Sequence, residues 1–509
     1  MKKILIIIYT ISIFGYAQLS GQENLTGMIK INSGMIKGFQ DQNSGILVFK
    51  GIPYAAPPVG NLRWKAPIPV SPWNGILECT KNPASAMQAK PTPFFCWSVE
   101  FMAPVEPLSE DCLYLNVWTP AKSAKENLPV IVWIHGGAFT GGSGTVPLYD
   151  GTEISKKGCV FVTINYRLGI FGFLAYPELS QESELKTSGN YGILDQIAAL
   201  KWVKENIKSF GGNPDNVTIA GQSAGAFSVN ALMASPLAKG LFHRAIAHSG
   251  GMFNRGILSI QNSRDAENSG KAILDKAGIK NLAELRSKSS ADLMAVQGRW
   301  APVIDNIVIP DVMQTFSAGR QNDVPLLTGW NADDGFMPGN PLKAEAYKKD
   351  IVKKYGQKSE EFLELFPGAT DEEAAKSQKL FAQLTFGWQN YTWASLQSSK
   401  GKNKAWVYYF SQVPPGEPNY GAFHSAEFGY ALHTLKLWNR PFTDWDYQLE
   451  EIMSSYWVNF AGNGNPNGDG LQNWPAFDNT NHFIIEFGSN IKIVPLPMLK
   501  QLLFIDKMN

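Results

Sequence analysis

The run Gly221-Gln222-Ser223-Ala224-Gly225 can do chemistry if the chain around it has the right form. A serine hydroxyl is a weak nucleophile until a turn presents it to a general base. The G-x-S-x-G spacing builds that turn when a strand leads in and a helix leads out, because the small flanking residues let strand and helix approach closely. Both neighbours are present: residues 217–220 (VTIA) read as a strand, and the stretch from Phe227 (FSVNALMA) can run as a helix. Ser223 is the expected nucleophile, with the helix N-terminus aimed at the reacting oxygen.

The base is sought among six histidines. In an elbow-type hydrolase it follows nucleophile and acid along the chain. That removes His135; His243 and His248 follow Ser223 too soon and are read as structural. His424 lies in Gly421-Ala422-Phe423-His424-Ser425-Ala426-Glu427, a loop after the strand-like residues 406–410 (WVYYF), and is selected ahead of His433. The acid that orients the imidazole belongs on a loop after a late strand. Residues 324–330 (VPLLTGW) lead into Asn331-Ala332-Asp333-Asp334-Gly335, and position alone leaves Asp333 and Asp334 equal. The oxyanion of ester hydrolysis needs backbone N–H donors. His135-Gly136-Gly137-Ala138-Phe139 follows the apolar run 130–134 and resembles the glycine-rich loop of esterases. Gly137, Ala138 and Ala224 are the expected donors. The loop carries no lysine and no P-loop pattern, which argues against a phosphate cradle.

These residues need a scaffold. Buried-type runs at 130–135, 159–165, 217–220, 245–248, 324–330 and 406–410 alternate with helical stretches such as 194–210. Strands without alternation, separated by helices, predict an α/β fold with a large, mostly parallel sheet covered on both faces. Residues 259–288 and 344–379 are more charged and read as helical insertions over that sheet. A single domain over residues 18–509 is expected.

The chain has 509 residues, 44% hydrophobic and 17% charged, with a formal charge of +1. That balance gives no electrostatic case for nucleic acid or for an anionic membrane surface. Residues 1–17 combine Lys2 and Lys3, an apolar run and small residues at Gly15 and Ala17, the pattern of a signal peptide. The mature chain is expected to be exported, without a membrane anchor. Four cysteines allow three full pairings, and Cys96 with Cys112 brackets a proline-containing loop that a disulfide would close. Residues 463–469 imitate the start of a calcium loop, but Trp474 stands where a glutamate is needed, so no metal is expected.

Several long segments resemble one family. FKGIPYAAPPVGNLRWKAP (49–67), SEDCLYLNV (109–117), NYRLGIFGFL (165–174), FGGNPDNVTIAGQSAG (210–225) and FAGNGNPNGDGLQNWPAFD (460–478) are similar to the type-B carboxylesterases of the α/β-hydrolase fold, the group that includes cholinesterases and bacterial para-nitrobenzyl esterases. The resemblance implies that the acid is Asp334, where the family commonly has Glu. It implies a structural ion pair between Arg63 and Glu110, and a buried polar group behind the triad at Gln222, Ser249 and Glu427. Gln222 replaces the Glu of cholinesterases, and Trp97 is the only nearby aromatic for a choline site, so a cholinesterase is not expected. The family's cysteine partner of Cys112 falls at Met87, leaving Cys96 as a shifted alternative. The expected activity is that of an exported serine carboxylesterase, acting without a cofactor on small uncharged esters. Selectivity for acyl and alcohol size is expected to lie in the loops 88–107 and 301–316. The alternatives are a non-catalytic adhesion member of the same fold, or an amidase or lipase.

Overall fold

The computed structural model describes residues 25, 27–253, 260–335 and 340–508. The expected leader, residues 1–17, lies outside them. The main sheet has eleven strands: β1 (Phe39–Gln40), β2 (Leu47–Pro53), β3 (Tyr114–Thr119), β4 (Leu128–Ile134), β5 (Val160–Ile164), β6 (Gly212–Gln222), β7 (Arg244–His248), β8 (Leu326–Asn331), β9 (Ala405–Phe410), β10 (Phe483–Phe487) and β11 (Ile491–Pro495). Their spatial order is β11-β10-β9-β8-β7-β6-β4-β5-β3-β2-β1. From β5 to β10 neighbours are parallel; the strands outside that block pair antiparallel. The sheet is therefore mixed at its margins and parallel where the site lies.

The apolar runs form strands because successive side chains enter two separate cores. On β4, Val130, Val132 and Ile134 pack on one face, while Ile131 and Trp133 pack on the other. Each fully buried side chain of this size contributes roughly 1.5–3 kcal/mol. The eight helices that matter here are α1 (Tyr191–Asn206), α2 (Ala224–Ala234), α3 (Ser263–Lys276), α4 (Leu282–Ser287), α5 (Ala344–Tyr355), α6 (Ser359–Leu365), α7 (Asp371–Lys400) and α8 (Asp444–Asn463). Helices α1, α2 and α7 cover the first face, through Leu200, Leu232 and Trp393 among others. Helix α8 covers the second, through Met453, Trp457 and Phe460. It starts at Thr443, whose side chain and that of Asp446 cap each other's backbone, and stops at Gly464 in the left-handed conformation.

The predicted helix over 194–210 starts earlier and yields to a 3₁₀ turn at Ile207–Phe210, closed by Gly211 at φ 79°. The strand expected from residue 324 begins at Leu326, after Pro325, which has no N–H to donate. The two charged stretches are helical, as α3 and α4 and as α5, α6 and the start of α7.

One expectation is overturned. Cys96 and Cys112 are not bridged: all four cysteines are free and buried. Cys112 packs in the first core with Leu113 and Leu115, whereas Cys96 packs in the second with Phe101 and Ala103. Burial pushes the Cys96 thiol up to about 12, so it persists as an inert apolar filler.

Candidate active site

Strand β6 carries Gln222 to its carboxyl end, and Ser223 makes the turn into α2. Ser223 sits at φ 56°, ψ −124°, a region that costs a non-glycine residue about 1–3 kcal/mol. Two backbone bonds hold it there: its N–H donates to the His248 carbonyl at 2.9 Å, and its carbonyl accepts from Phe227 at 3.0 Å. The turn is possible because its last glycine lies against β4. A Cβ on Gly225 would stand 2.0 Å from the Ile134 carbonyl oxygen.

His424 lies on the loop after β9 and is 4% exposed. Its Nδ1 is 2.5 Å from Asp334 Oδ1, and Asp334 is fully buried. A carboxylate can only accept, so Nδ1 carries the proton and the basic lone pair of the neutral ring is on Nε2. Asp334 Oδ2 accepts from the Asn331 N–H at 3.1 Å, which fixes the carboxylate's other edge. Asp333 points elsewhere: it pairs with Lys379, and its Oδ2 accepts from the Ala422 N–H at 2.9 Å. Its backbone also bridges to Phe423. Of the two aspartates that position alone could not separate, Asp334 meets the imidazole and Asp333 anchors the loop that carries it. Phe386 stacks on the His424 ring at 4.6 Å between centroids.

The loop after β4 lies against the turn, since a Cβ on Gly136 would stand 2.7 Å from the Gln222 carbonyl. Gly137 at φ 106° and Ala138 at φ 53° are both left-handed, so the loop folds back on itself. Thr140 and Gly141 both donate to the Gly137 carbonyl at 3.0 Å, turning the peptide plane so that the carbonyl is occupied within the loop. Ala224 begins α2, where backbone N–H groups have no intrahelical partner. Gly137, Ala138, Gln222, Ser223 and His424 all line one cavity of about 420 Å³. Residues 88–103 supply much of its remaining wall, including Lys90, Trp97 and Met102. Residues 301–316, expected to shape the substrate space, contribute nothing to this lining; Asp305 there is tied to Thr187 and Asn190 instead.

A model described as Carboxylesterase family matches residues 26–501. The chain belongs to the carboxylesterase family. It is 34% identical to fumonisin B1 esterase of Sphingopyxis macrogoltabida, over 90% of this chain and 86% of that one. It is 35% identical to para-nitrobenzyl esterase of Bacillus subtilis (strain 168), over 90% of this chain and 94% of that one. The solved structure of a thermophilic PNB esterase superposes with a TM-score of 0.81 at 34% identity, covering 94% of this chain and 99% of the other. The fold is the α/β-hydrolase fold, and the chain is a carboxylic ester hydrolase.

Behind Ser223 and His424 of this carboxylesterase lies a polar network that differs from the expected one. Glu427 is fully buried, but its partners are His248 and Asn331. Trp457 Nε1 donates to His248 Nε2 at 2.9 Å, so His248 Nδ1 carries the proton and donates to Glu427 at 3.2 Å. Asn331 Nδ2 donates to the other carboxylate oxygen at 2.5 Å and to the Phe423 carbonyl at 2.8 Å. Gln222 and Ser249 do not join Glu427 by a direct hydrogen bond; among the described residues Gln222 Nε2 and Ser249 Oγ have no partner. The sequence reading missed Asn331, which touches both carboxylates. Its signal was its place as the last residue of β8, immediately before the acidic loop.

His135 opens the glycine-rich loop but is not part of the cavity lining. It stacks on Tyr166 at 4.4 Å, and its carbonyl accepts from the Tyr166 hydroxyl at 2.9 Å. Burial lowers its pKa to about 4, so the ring is neutral wherever the enzyme works near neutrality. Arg63 and Glu110 form the ion pair that the resemblance implied, with Arg63 Nε to Glu110 Oε2 at 2.6 Å and Nη2 to Oε1 at 2.5 Å. A second buried pair, Arg167 with Asp195, was not foreseen.

Proposed function

We propose that Ser223, His424 and Asp334 hydrolyse uncharged carboxylic esters through an acyl-enzyme. His424 Nε2 takes the Ser223 proton as Oγ attacks the ester carbonyl carbon. The carbonyl π pair moves onto oxygen, and the N–H groups of Gly137, Ala138 and Ala224 stabilise that oxyanion. In a comparable site one such donor is worth about 2.7–4 kcal/mol. Asp334 holds the imidazole and stabilises its charged form. When the tetrahedral intermediate collapses, the C–O bond to the alcohol breaks and His424 protonates the departing oxygen. Water then repeats the sequence on the acyl-enzyme, releasing the acid and restoring Ser223. Each proton taken is returned, and no cofactor or metal enters.

The observation that carries this reading is the 2.5 Å contact from Asp334 to His424, in a cavity that also holds the strained Ser223. A cationic substrate is disfavoured because, among the described residues, no carboxylate side chain lines the cavity and Lys90 is its only Lys or Arg. Ser223→Ala should lower kcat for short p-nitrophenyl esters by roughly 10⁶-fold. Persistent turnover by the purified variant would reject the scheme.

The enzyme is exported on this reading. Support comes from Lys2, Lys3 and the apolar run that follows. Among the described residues no helix is long and apolar enough to cross a membrane. N-terminal sequencing of protein recovered outside the cytoplasm should begin at Gln18; recovery only of intact chain from the cytoplasm would refute export.

A further inference from the structure

From His135 to Val146 the chain after β4 has no helix or strand to hold it. Its geometry turns on one peptide unit. A trans peptide is planar, so the Gly137 carbonyl and the Ala138 N–H point in opposite directions. Thr140 and Gly141 hold that carbonyl from inside the loop, each donating its N–H at 3.0 Å. The Ala138 N–H is thereby turned outward from the loop, on a residue that lines the catalytic cavity. Among the described residues no acceptor takes the Gly137 or the Ala138 N–H. Whatever fixes Gly141 therefore fixes the aim of Ala138.

Gly141 is held through its neighbour Gly142, and Gly142 is held by Gln88. The Gln88 carboxamide donates from Nε2 to the Gly142 carbonyl and accepts the Gly142 N–H on Oε1, each at 2.8 Å. A carboxamide carries a donor and an acceptor side by side on one planar group, whereas a carboxylate only accepts and an ammonium only donates. Nε2 also donates to the Ala86 carbonyl at 3.0 Å, which sets the direction of the side chain itself. Gln88 is 6% exposed, so little water competes for these bonds. On its other side Gly142 packs against the start of the loop. It sits at φ 105°, and a Cβ there would stand 2.5 Å from both the Gly136 carbonyl oxygen and His135 Nδ1. The clasp thus closes the loop on itself, with Gly136 and Gly137 on one limb and Gly141 and Gly142 on the other. It comes from a residue 54 positions away in the sequence.

We infer that Gln88 is a positioning residue for the oxyanion hole: by clasping Gly142 it aims the Ala138 N–H at the oxygen that becomes charged. This rests on Ser223 as the nucleophile and on Gly137, Ala138 and Ala224 as the donors. Gln88→Met keeps the length of the side chain and removes both bonds to Gly142. A donor turned aside loses part of the stabilisation that its deletion would lose, so kcat for a short p-nitrophenyl ester should fall about 10–100-fold, with KM within roughly threefold. Rates are expressed per site titrated with a fluorophosphonate, so that unfolded protein is not counted. The deciding readout is a pair of inhibitors, a trifluoromethyl ketone and the matching methyl ketone. Ser223 Oγ bonds to the trifluoromethyl ketone's carbonyl carbon, the π pair moves onto oxygen, the serine proton passes to His424 Nε2, and nothing leaves. Its Ki should rise by the factor by which kcat/KM falls, while the Ki of the methyl ketone, bound without that addition, should stay unmoved. General loosening of the cavity would weaken both ketones alike and would overturn the inference. So would a rise in KM at constant kcat, which would make Gln88 a substrate contact. Gln88→Glu keeps an acceptor for the Gly142 N–H and should lie between Gln88→Met and the unmutated enzyme; an unmoved ketone ratio in whichever variant folds counts against the inference. Ser223→Ala separates the two readings: if it still hydrolyses the ester, both fall; if it is inactive and the ketone ratio is unmoved at Gln88, only this inference falls.

Discussion

Two adjacent aspartates show how much one residue's surroundings decide. Asp333 and Asp334 share a loop and a chemistry, yet one faces the imidazole and the other faces Lys379 and the Ala422 amide. Removing the charge from the carboxylate that faces His424 leaves the ring free to take the wrong tautomer. Asp334→Asn should therefore lower kcat by about 10⁴-fold while the fold is kept. Asp333→Asn keeps an acceptor for the Ala422 N–H and loses only an exposed ion pair, so its rate should stay within roughly tenfold of the unmutated enzyme. Purified variants compared on one p-nitrophenyl ester decide it; the reverse order would make Asp333 the acid. Asp334, where the resemblance led to the expectation of a Glu, reaches His424 at 2.5 Å, and the Asn331 N–H holds its second oxygen.

At the scale of the element, the glycine-rich loop between β4 and β5 is set by backbone constraints. Gly137 needs φ 106°, and a Cβ there would stand 2.2 Å from the Gly141 carbonyl oxygen. That carbonyl belongs to the loop itself, so Gly137→Ala cannot be relieved by turning a side chain. The loop must open, and its N–H groups swing away from the position of the oxyanion. Loss of one such donor lowers kcat by about 10²–10³-fold. Gly137→Ala should show a drop of that size in kcat with a smaller change in KM, measured with soluble substrate. A rise in KM at constant kcat would assign the loop to substrate binding instead. The supports of the loop come from far away: Gln88 both donates to the Gly142 carbonyl and accepts from its N–H, each at 2.8 Å. No local pattern around Gln88 announced that role.

Across the whole molecule, one guanidinium makes four of the bonds that fasten the charged insertion to the body. Arg63 makes two bonds to Glu110 and two more to the Arg286 and Lys288 carbonyls at the end of α4, while Ser290 Oγ donates to Glu110. The pair is nearly buried, with side chains 11% and 9% exposed. Removing one partner strands the other charge, which costs about 3 kcal/mol or more. Arg63→Met should lower the thermal midpoint clearly, and adding Glu110→Leu should recover part of the loss. If the double variant is less stable than Arg63→Met alone, the isolated charge is not the source of the damage. The pair lies away from the cavity lining, so the effect belongs to stability.

The fold and the strand–turn–helix that carries Ser223 were legible in the sequence because both depend on neighbours in the chain. Apolar runs of strand length, the turn at Ser223 and the glycine loop are local patterns, and local sterics permit few conformations for them. The choice of His424 also followed from chain order. What sequence could not settle depends on pairs far apart. Asp334 and His424 are 90 residues apart, and the register of β8 beside β9 decides which aspartate faces the ring. The membership of the buried network was likewise decided by packing: His248 and Asn331, ends of adjacent strands β7 and β8, reach Glu427, while Gln222 and Ser249 do not. The disulfide expectation failed for the same reason, since spacing along a loop does not say into which core each thiol turns. Residue types and their order determined the available chemistry, because reactivity belongs to the groups themselves. Only the tertiary structure decided which groups meet, because burial and hydrogen-bond geometry arise between segments that the sequence holds apart.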